Sequence, residues 1–361
     1  MSDSKYEYPL YKYYYKFDLN HILNLSKIQN IHNNLTNKKP EKMIKPVRKT
    51  CINPNNKNIL LDKWDYLFIE DNPDDNNELN LITDYFSMHE RIKASFIHNI
   101  SPIEYYNKNY DEILEKLDIT TEDIEEKKLQ PVQIFMFDNY MRNHLKFANN
   151  FKISVILRVL DIFKPTKWLD ISAGWGDRLI SAILYPTVKR YFSTDPNIAL
   201  QPCYNNIIKS FNVNPKHYKI KTDGFEKIKL HDYDYDFVFS SPPFFDIELY
   251  SNNENDSVTK YKSLEKWYYD FLLCSIIKCC KHLKTNSFFV LNMIINCESN
   301  NKYSNRKLFE DMKQINNLKY CGSIYYYNSY TFKPRELQVF KKIGDVKFLD
   351  KTLDEKYKDI N

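Results

Sequence analysis

The sequence predicts a doubly wound α/β fold: a mostly parallel sheet covered by helices on both faces, closed by an antiparallel C-terminal hairpin and preceded by a small, mainly helical region. Three observations predict it. From Phe151 onward, short apolar runs alternate with stretches of helical period, the rhythm of parallel strands joined by crossover helices. Two of only five glycines, Gly174 and Gly176, fall in one turn directly after the first of those runs. A later apolar run stops on Ser241-Pro242-Pro243-Phe244, where two prolines fix the backbone and remove its donors.

The elements follow in order. Residues 153–163 have the spacing of an amphipathic helix, 167–171 of a short strand, 177–184 of a helix and 190–194 of a strand. Then come a helix at 198–211, strands at 218–222 and 236–240, a long helix at 264–283, an apolar strand at 288–295 and a helix at 306–315. Residues 322–327 and 336–342 read as two strands joined by a turn near 328–334, which completes a seven-stranded sheet with one antiparallel member.

Upstream, 79–95 and 102–117 have helical spacing, with Ser101 placed as an N-cap and Pro102 in the first turn. Residues 62–70 are aromatic and apolar, 120–128 acidic and then basic, and 28–57 rich in Lys and Asn. The chain therefore divides into a flexible basic and aromatic arm (1–60), a mainly helical domain (61–148), a catalytic domain (149–345) and a polar C-terminal tail (346–361).

Composition excludes several classes. No apolar run reaches the roughly 18 residues of a membrane span, and the N-terminus lacks the apolar core of a signal peptide. Seven scattered cysteines form no CxxC pair, and the eight histidines show no HExxH spacing. Neither a disulfide framework nor a metal site is expected, and the protein is expected to be soluble and intracellular, in a reducing compartment. A net charge of +5 permits a polyanionic partner without requiring one. The wealth of Tyr, Asn, Lys and Ile is that of an AT-rich genome.

Four constellations carry chemistry. The turn Asp170-Ile-Ser172-Ala-Gly174-Trp-Gly176 joins a strand to a helix, where glycines allow tight geometry and a close ligand, and the helix start presents free N–H groups. Asp195 ends the next strand, the position from which a carboxylate accepts both ribose hydroxyls of a nucleoside cofactor. No full GxGxxG and no GK[ST] follows, so adenosine without phosphates fits better than a dinucleotide. Asp223-Gly224-Phe225 ends the third strand and offers an acceptor and a ring to an adenine, or simply an Asp-Gly turn. Ser241-Pro242-Pro243-Phe244 combines a hydroxyl, rigid carbonyls and an aromatic face, a setting for an incoming planar amine.

The pairing of DxSxGxG with S-P-P-F resembles the class I Rossmann-like amino-methyltransferases, which include the DNA N6-adenine and N4-cytosine enzymes. The strings LDISAGWGDRLISAI and FVFSSPPFFDIELYS look closest to phage and giant-virus DNA methyltransferases, over about residues 150–345. The segment ITDYFSMHERIKASFIHNISPIEY (82–105) also resembles an upstream part of those phage proteins.

This resemblance implies S-adenosyl-L-methionine as cofactor, with Asp170, Ser172, Gly174 and Gly176 shaping its methionine pocket, Asp195 holding its ribose, and Asp223 and Phe225 bordering its adenine. It implies that Ser241 and the Pro242 carbonyl accept hydrogen bonds from the target amine, that Pro243 keeps the corner rigid and that Phe244 stacks on the target base. The partner implied is nucleic acid, DNA ahead of RNA, with no membrane and no metal. The setting implied is cytoplasmic, in the host cytoplasm or virion for a virus. Serine at 241 is commoner among cytosine N4 enzymes, whereas the adenine enzymes carry Asp or Asn, so both bases stay open. The other readings are a methyltransferase acting on RNA or a protein amide, and an inactive nucleic-acid-binding homologue. Oligomeric state is not legible.

Overall fold

The computed structural model describes residues 7–9, 41–43, 66–69, 73–96, 99–232, 234–245, 247–251, 254, 256–293, 303–328, 333–348 and 350–360. The expected N-terminal arm lies outside the described residues except at 7–9 and 41–43. There Tyr8 is buried against Tyr106 and Phe137, with ring centroids 5.0 and 5.2 Å apart.

Two short strands, β1 (Glu41–Met43) and β2 (Tyr66–Ile69), precede the helices. The helical region comprises α1 (Pro73–Arg91), the two-residue β3 (Ser95–Phe96), α2 (Pro102–Lys108), α3 (Tyr110–Leu117), α4 (Thr121–Glu125) and α5 (Pro131–His144). Ser101 caps α2 through a reciprocal box, its hydroxyl accepting from the Glu104 amide while the Glu104 carboxylate accepts from the Ser101 amide at 2.8 Å. The single helix expected at 102–117 is two. The break falls at Asn109, whose backbone leaves helical geometry at φ −115° and ψ 23° while its side-chain amide joins its backbone N–H on the Tyr105 carbonyl, at 2.8 Å. Tyr106, Ile113, Phe137 and Met141 form this region's own core. Helix α1 joins two cores: Met88 and, just past its end, Ile92 belong to the helical region's core, whereas Leu79, Ile82 and Phe86 belong to the core against the sheet.

The α/β unit follows as α6 (Ile153–Phe163), β4 (Lys167–Leu169), α7 (Asp177–Leu184), β5 (Arg190–Thr194), α8 (Gln201–Ser210), β6 (Tyr218–Lys221), β7 (Tyr235–Ser240) and β8 (Glu248–Leu249). After α9 (Ser257–Tyr261), the short α10 (Leu264–Lys266) runs through a π-helical segment, Trp267–Leu273, into α11 (Cys274–His282). The chain ends with β9 (Leu283–Leu291), α12 (Asn305–Lys313), β10 (Ile315–Asn328), β11 (Lys333–Phe348) and α13 (Lys351–Lys356).

The main sheet has the order β1-β2-β10-β11-β9-β7-β4-β5-β6. Strands β4 to β7 and β9 run parallel, and β11 lies antiparallel between β9 and β10. The expected seven strands are all present, and β1 and β2 extend the sheet to nine by pairing beyond β10. The hairpin is longer than its apolar pattern. Pairing continues from Tyr327↔Pro334 to Ile315↔Phe348, with register shifts at Asn316/Leu318 and Tyr320/Gly322 that hide the alternation. The C-terminal segment expected as a polar tail packs: Tyr357 is buried, and the Lys281 ammonium donates to the carbonyls of Tyr357, Lys358 and Ile360.

Both sheet faces are covered, so strands read as apolar runs whose alternate residues enter opposite cores. In β7, Phe237 and Phe239 join one core and Val238 the other; in β4, Trp168 and Leu169 divide likewise. The cysteines at 274, 279 and 280 are core thiols, and burial pushes Cys280 up to about 12. Among the described residues, no helix is long and apolar enough to cross a membrane.

Trp168 is fully buried, stacks on Phe239 at 5.9 Å and 8°, and donates its indole N–H to the Phe239 carbonyl at 2.9 Å. Trp168→Ala is expected to cost about 3–5 kcal/mol of unfolding free energy, read by chemical denaturation; a loss under about 1 kcal/mol would mean the strand pair is held elsewhere.

Candidate active site at the sheet crossover

The chain leaves β4 for β5 and β6 on one side of the sheet, and takes up β7 and β9 on the other. In open parallel sheets, ligands bind beyond the carboxyl ends of the strands at such a reversal. A cleft of about 1620 Å³ opens there, roofed on one side by the helical region.

The turn after β4 is built from below. Asp170 is fully buried and does not line the cleft. Its carboxylate takes the Arg178 Nε at 2.8 Å and the Tyr191 hydroxyl at 2.7 Å. The Arg178 guanidinium also donates to the Ser172 carbonyl, so strand end, turn and helix start are tied together beneath the cleft. Gly174 and Gly176 have φ of +60° and +97°. A Cβ on Gly176 would stand 2.7 Å from the Ile207 Cδ1 on α8, so this position excludes side chains twice over. Gly174 and Ser172 line the cleft directly.

Asp195 follows β5, is 9% exposed and lines the cleft. One oxygen accepts from the Gly174 amide at 3.2 Å and the other from the Asn197 amide at 2.9 Å. The Tyr204 hydroxyl is a further donor near this carboxylate. Burial pushes its pKa up to about 6 against the pull of those amides.

Beyond β6, Asp223 is exposed and outside the cleft, where it accepts from the Gly224 amide at 2.8 Å and closes a turn. Phe225 lines the cleft and is 1% exposed. The carboxylate on this wall belongs to Glu226, held by the Lys260 ammonium and the Tyr261 hydroxyl, with its second oxygen buried and unbonded. The loop is pinned from behind by Lys278, whose buried ammonium donates to the carbonyls of Phe225, Glu226 and Ile228 at 3.1, 3.0 and 2.6 Å.

Opposite stands the corner after β7. Ser241, Pro242, Pro243 and Phe244 all line the cleft. The Ser172 hydroxyl donates to the Ser241 carbonyl at 3.0 Å, and the Ile171 amide donates to the Ser240 hydroxyl at 3.2 Å, so the glycine turn and the diproline corner touch. The Ser241 hydroxyl accepts from the Asn292 side chain at 2.9 Å. Phe244 is half-buried beside the cleft, while Phe245 turns away toward Trp267 at 5.6 Å. The π-helical segment beneath this corner sets Trp267 inward and Phe271 on the cleft.

Sequence reasoning missed Glu226, Asn292 and Lys278. Asn292 was within reach, as a polar residue just past a buried strand at the end where ligands bind. Lys278 carried no signal, since a lone lysine in a helix reads as solvated. Among the described residues, no group of three or more His, Cys, Asp or Glu side chains is placed to hold a metal ion.

The strand order, with β11 antiparallel between β9 and β10, is that of the Rossmann-like class I methyltransferase sheet. No family model and no curated protein matches the sequence. Solved structures that are similar include an rRNA methylase from Streptococcus thermophilus, at 10% identity over 50% of this chain and 88% of its own, with a TM-score of 0.33. An S-adenosylmethionine-dependent O-methyltransferase from Thermotoga maritima is 12% identical over 57% and 71%, with a TM-score of 0.34. TrmN from Thermus thermophilus is 12% identical over 54% and 50%, with a TM-score of 0.38.

Gly176→Ala is expected to cost about 1–3 kcal/mol of stability, more than Gly174→Ala, whose Cβ would stand 3.4 Å from an Arg178 nitrogen. Denaturant titration of both variants reads the difference, and equal small losses would mean the turn relaxes freely.

Proposed function

We propose that this chain is an S-adenosyl-L-methionine-dependent methyltransferase acting on an exocyclic amino group of a nucleic-acid base, DNA cytosine N4 or adenine N6. The observation that carries the reading is the 3.0 Å hydrogen bond from Ser172 to the Ser241 carbonyl, which sets the nucleoside-type turn against the amine-type corner in one cleft.

The residues present fit the cofactor. Gly174 presents bare backbone at the cleft for a close ligand, whereas Gly176 lies behind it and makes room for Ile207, and Asp195 stands at the strand end from which a carboxylate accepts from a ribose. Phe225 offers a ring to the adenine; Glu226, rather than Asp223, stands on the wall where an acceptor for its amino group is needed. Asp170 acts from below, through Arg178. The cleft exceeds the roughly 300–1000 Å³ of a single small-ligand site, which leaves room for a flipped base beside the cofactor.

The cofactor supplies an electrophilic methyl group; the protein's task is to aim a nucleophile. An exocyclic amine is poorly nucleophilic because its lone pair delocalises into the ring. Ser241 already accepts from Asn292, so its hydroxyl retains one lone pair and one proton for the base. Adenine and cytosine both present an N–H donor beside a ring-nitrogen acceptor, and a hydroxyl can meet both. The Pro242 carbonyl takes the second amine hydrogen, Pro243 holds the corner and Phe244 stacks on the ring. The effect is orientation and electrostatic stabilisation without a covalent intermediate. On the roof, Val132, Phe135 and Met136 of α5 are exposed, with Phe135 bordering the cleft, an apolar face suited to a large partner.

Purified protein with labelled cofactor and separate DNA, RNA and protein pools tests the reading, with the modified nucleoside identified by mass spectrometry. Label in DNA is expected; label confined to RNA or to protein would move the substrate to that class. Ser241→Ala and Phe244→Ala are each expected to lower turnover by about 10²-fold or more with cofactor affinity changed less than about threefold. Near-normal turnover in both would remove the corner from the mechanism.

Asp195 supplies a pH test. Its folded pKa is about 6, raised by burial, and only its carboxylate form accepts both ribose hydroxyls. Adenosine affinity should therefore be full above pH 7 and fall by up to about tenfold per unit below pH 6. Calorimetry that shows flat affinity from pH 8 to 5 would exclude Asp195 from the ribose site.

A further inference from the structure

Asp177 is the first residue of α7, directly after Gly176, and is unused by the site described above. It is 1% exposed and borders the cleft. Neither of its carboxylate oxygens has a well-formed hydrogen bond; the Asp177 and Phe151 amides lie near enough only to pull its pKa down weakly. The nearest cation is the Arg178 guanidinium, 3.6 Å away, and that group is already committed to Asp170 and the Ser172 carbonyl.

Other carboxylates of the cleft are satisfied to a greater degree. Asp195 accepts two backbone amides, Asp256 accepts the Ser251 amide at 3.2 Å, Glu248 takes the Tyr250 hydroxyl and Glu226 has one oxygen bonded. An acidic residue in the first turn of a helix is ordinarily exposed, where the helix dipole favours it at no desolvation cost. Buried with only weak partners, it is costly. Burial pushes the Asp177 carboxyl up to about 6 despite the neighbouring guanidinium. Such a group is compensated when a cationic donor enters.

We propose that the Asp177 carboxylate anchors the primary ammonium at the amino-acid end of the bound methyl donor. The inference rests on the methyl-donor reading above. Asp195 and Asp177 stand at the two ends of the glycine turn: Asp195 takes the Gly174 amide, and Asp177 follows Gly176. A ligand with its ribose on Asp195 that lies along this turn brings its amino-acid head toward Asp177. Three N–H donors of an ammonium suit a carboxylate whose oxygens keep lone pairs to spare.

Calorimetry on the full chain tests this with two ligands: S-adenosylhomocysteine, which carries the amino-acid head, and 5′-methylthioadenosine, which lacks it. Asp177→Asn keeps the side-chain volume and removes the charge. The variant is expected to lose about tenfold or more in S-adenosylhomocysteine affinity while 5′-methylthioadenosine affinity changes less than about twofold. Equal losses for both ligands, or no loss for either, would overturn the assignment. Wild-type protein that binds neither ligand would overturn the methyl-donor reading itself. Should the variant fail to fold, wild-type protein is titrated with the deaminated analogue of S-adenosylhomocysteine. A loss of about tenfold against the parent ligand supports the anchor, and equal affinity overturns it.

Discussion

A buried ion pair underlies the site. Arg178 and Asp170 are 3% and 0% exposed and meet at 2.8 Å. Two charges removed from water hold together only because their remaining groups are also matched, here by the Tyr191 hydroxyl and the Ser172 carbonyl. Breaking one partner of such a pair leaves the other stranded, at roughly 3–5 kcal/mol. The pair props the turn after β4 from beneath, so the face it turns to the cleft can be bare glycine backbone. The residue conspicuous in the DxSxGxG pattern is therefore a support for the floor, and the open cradle above is a consequence of it.

The second constraint is topological. Because β4 is the strand from which the sheet is wound in both directions, its carboxyl end has no crossover helix lying over it, and the neighbouring end of β7 shares the gap. Hydrogen bonds from Ile171 and Ser172 to the Ser240–Ser241 segment close the distance between two motifs that the sequence separates by two helices and three strands. Asn292, at the end of β9, then reaches the Ser241 hydroxyl from the third strand of the row. Three adjacent parallel strands thus each contribute one polar group at the same end of the sheet.

The electrostatics of the cleft have a direction. Asp177 and Asp195 are both pushed up to about 6 by burial, and Glu248 is raised for the same cause. Carboxylates crowded into a poorly solvated space favour a cationic occupant, and the donor proposed here carries a sulfonium as well as an ammonium. Of the cationic side chains at the cleft, Lys260 is held by Glu226 and Arg178 by Asp170, while Arg335 acts on Glu248.

Much of the fold was legible in the residues themselves. Helices 153–163 and 177–184 and strand 190–194 stand where period and flanking residues put them, because such spacing is a local property that the core only ratifies. The glycine turn and the S-P-P-F corner were legible for a similar reason: positive φ and proline geometry are written in residue type. Tertiary structure decided the rest. The addition of β2 to β10 depends on an edge of the sheet left unpaired, which no local pattern reveals. The choice of Glu226 over Asp223 depends on which way Phe225 turns to reach the core. The ties of Lys278 to three carbonyls and the proposed role of Asp177 depend on burial, which removes water from a charge and makes its partners matter. Residue type sets what a side chain can do, and packing around it determines whether solvent, backbone or ligand meets it.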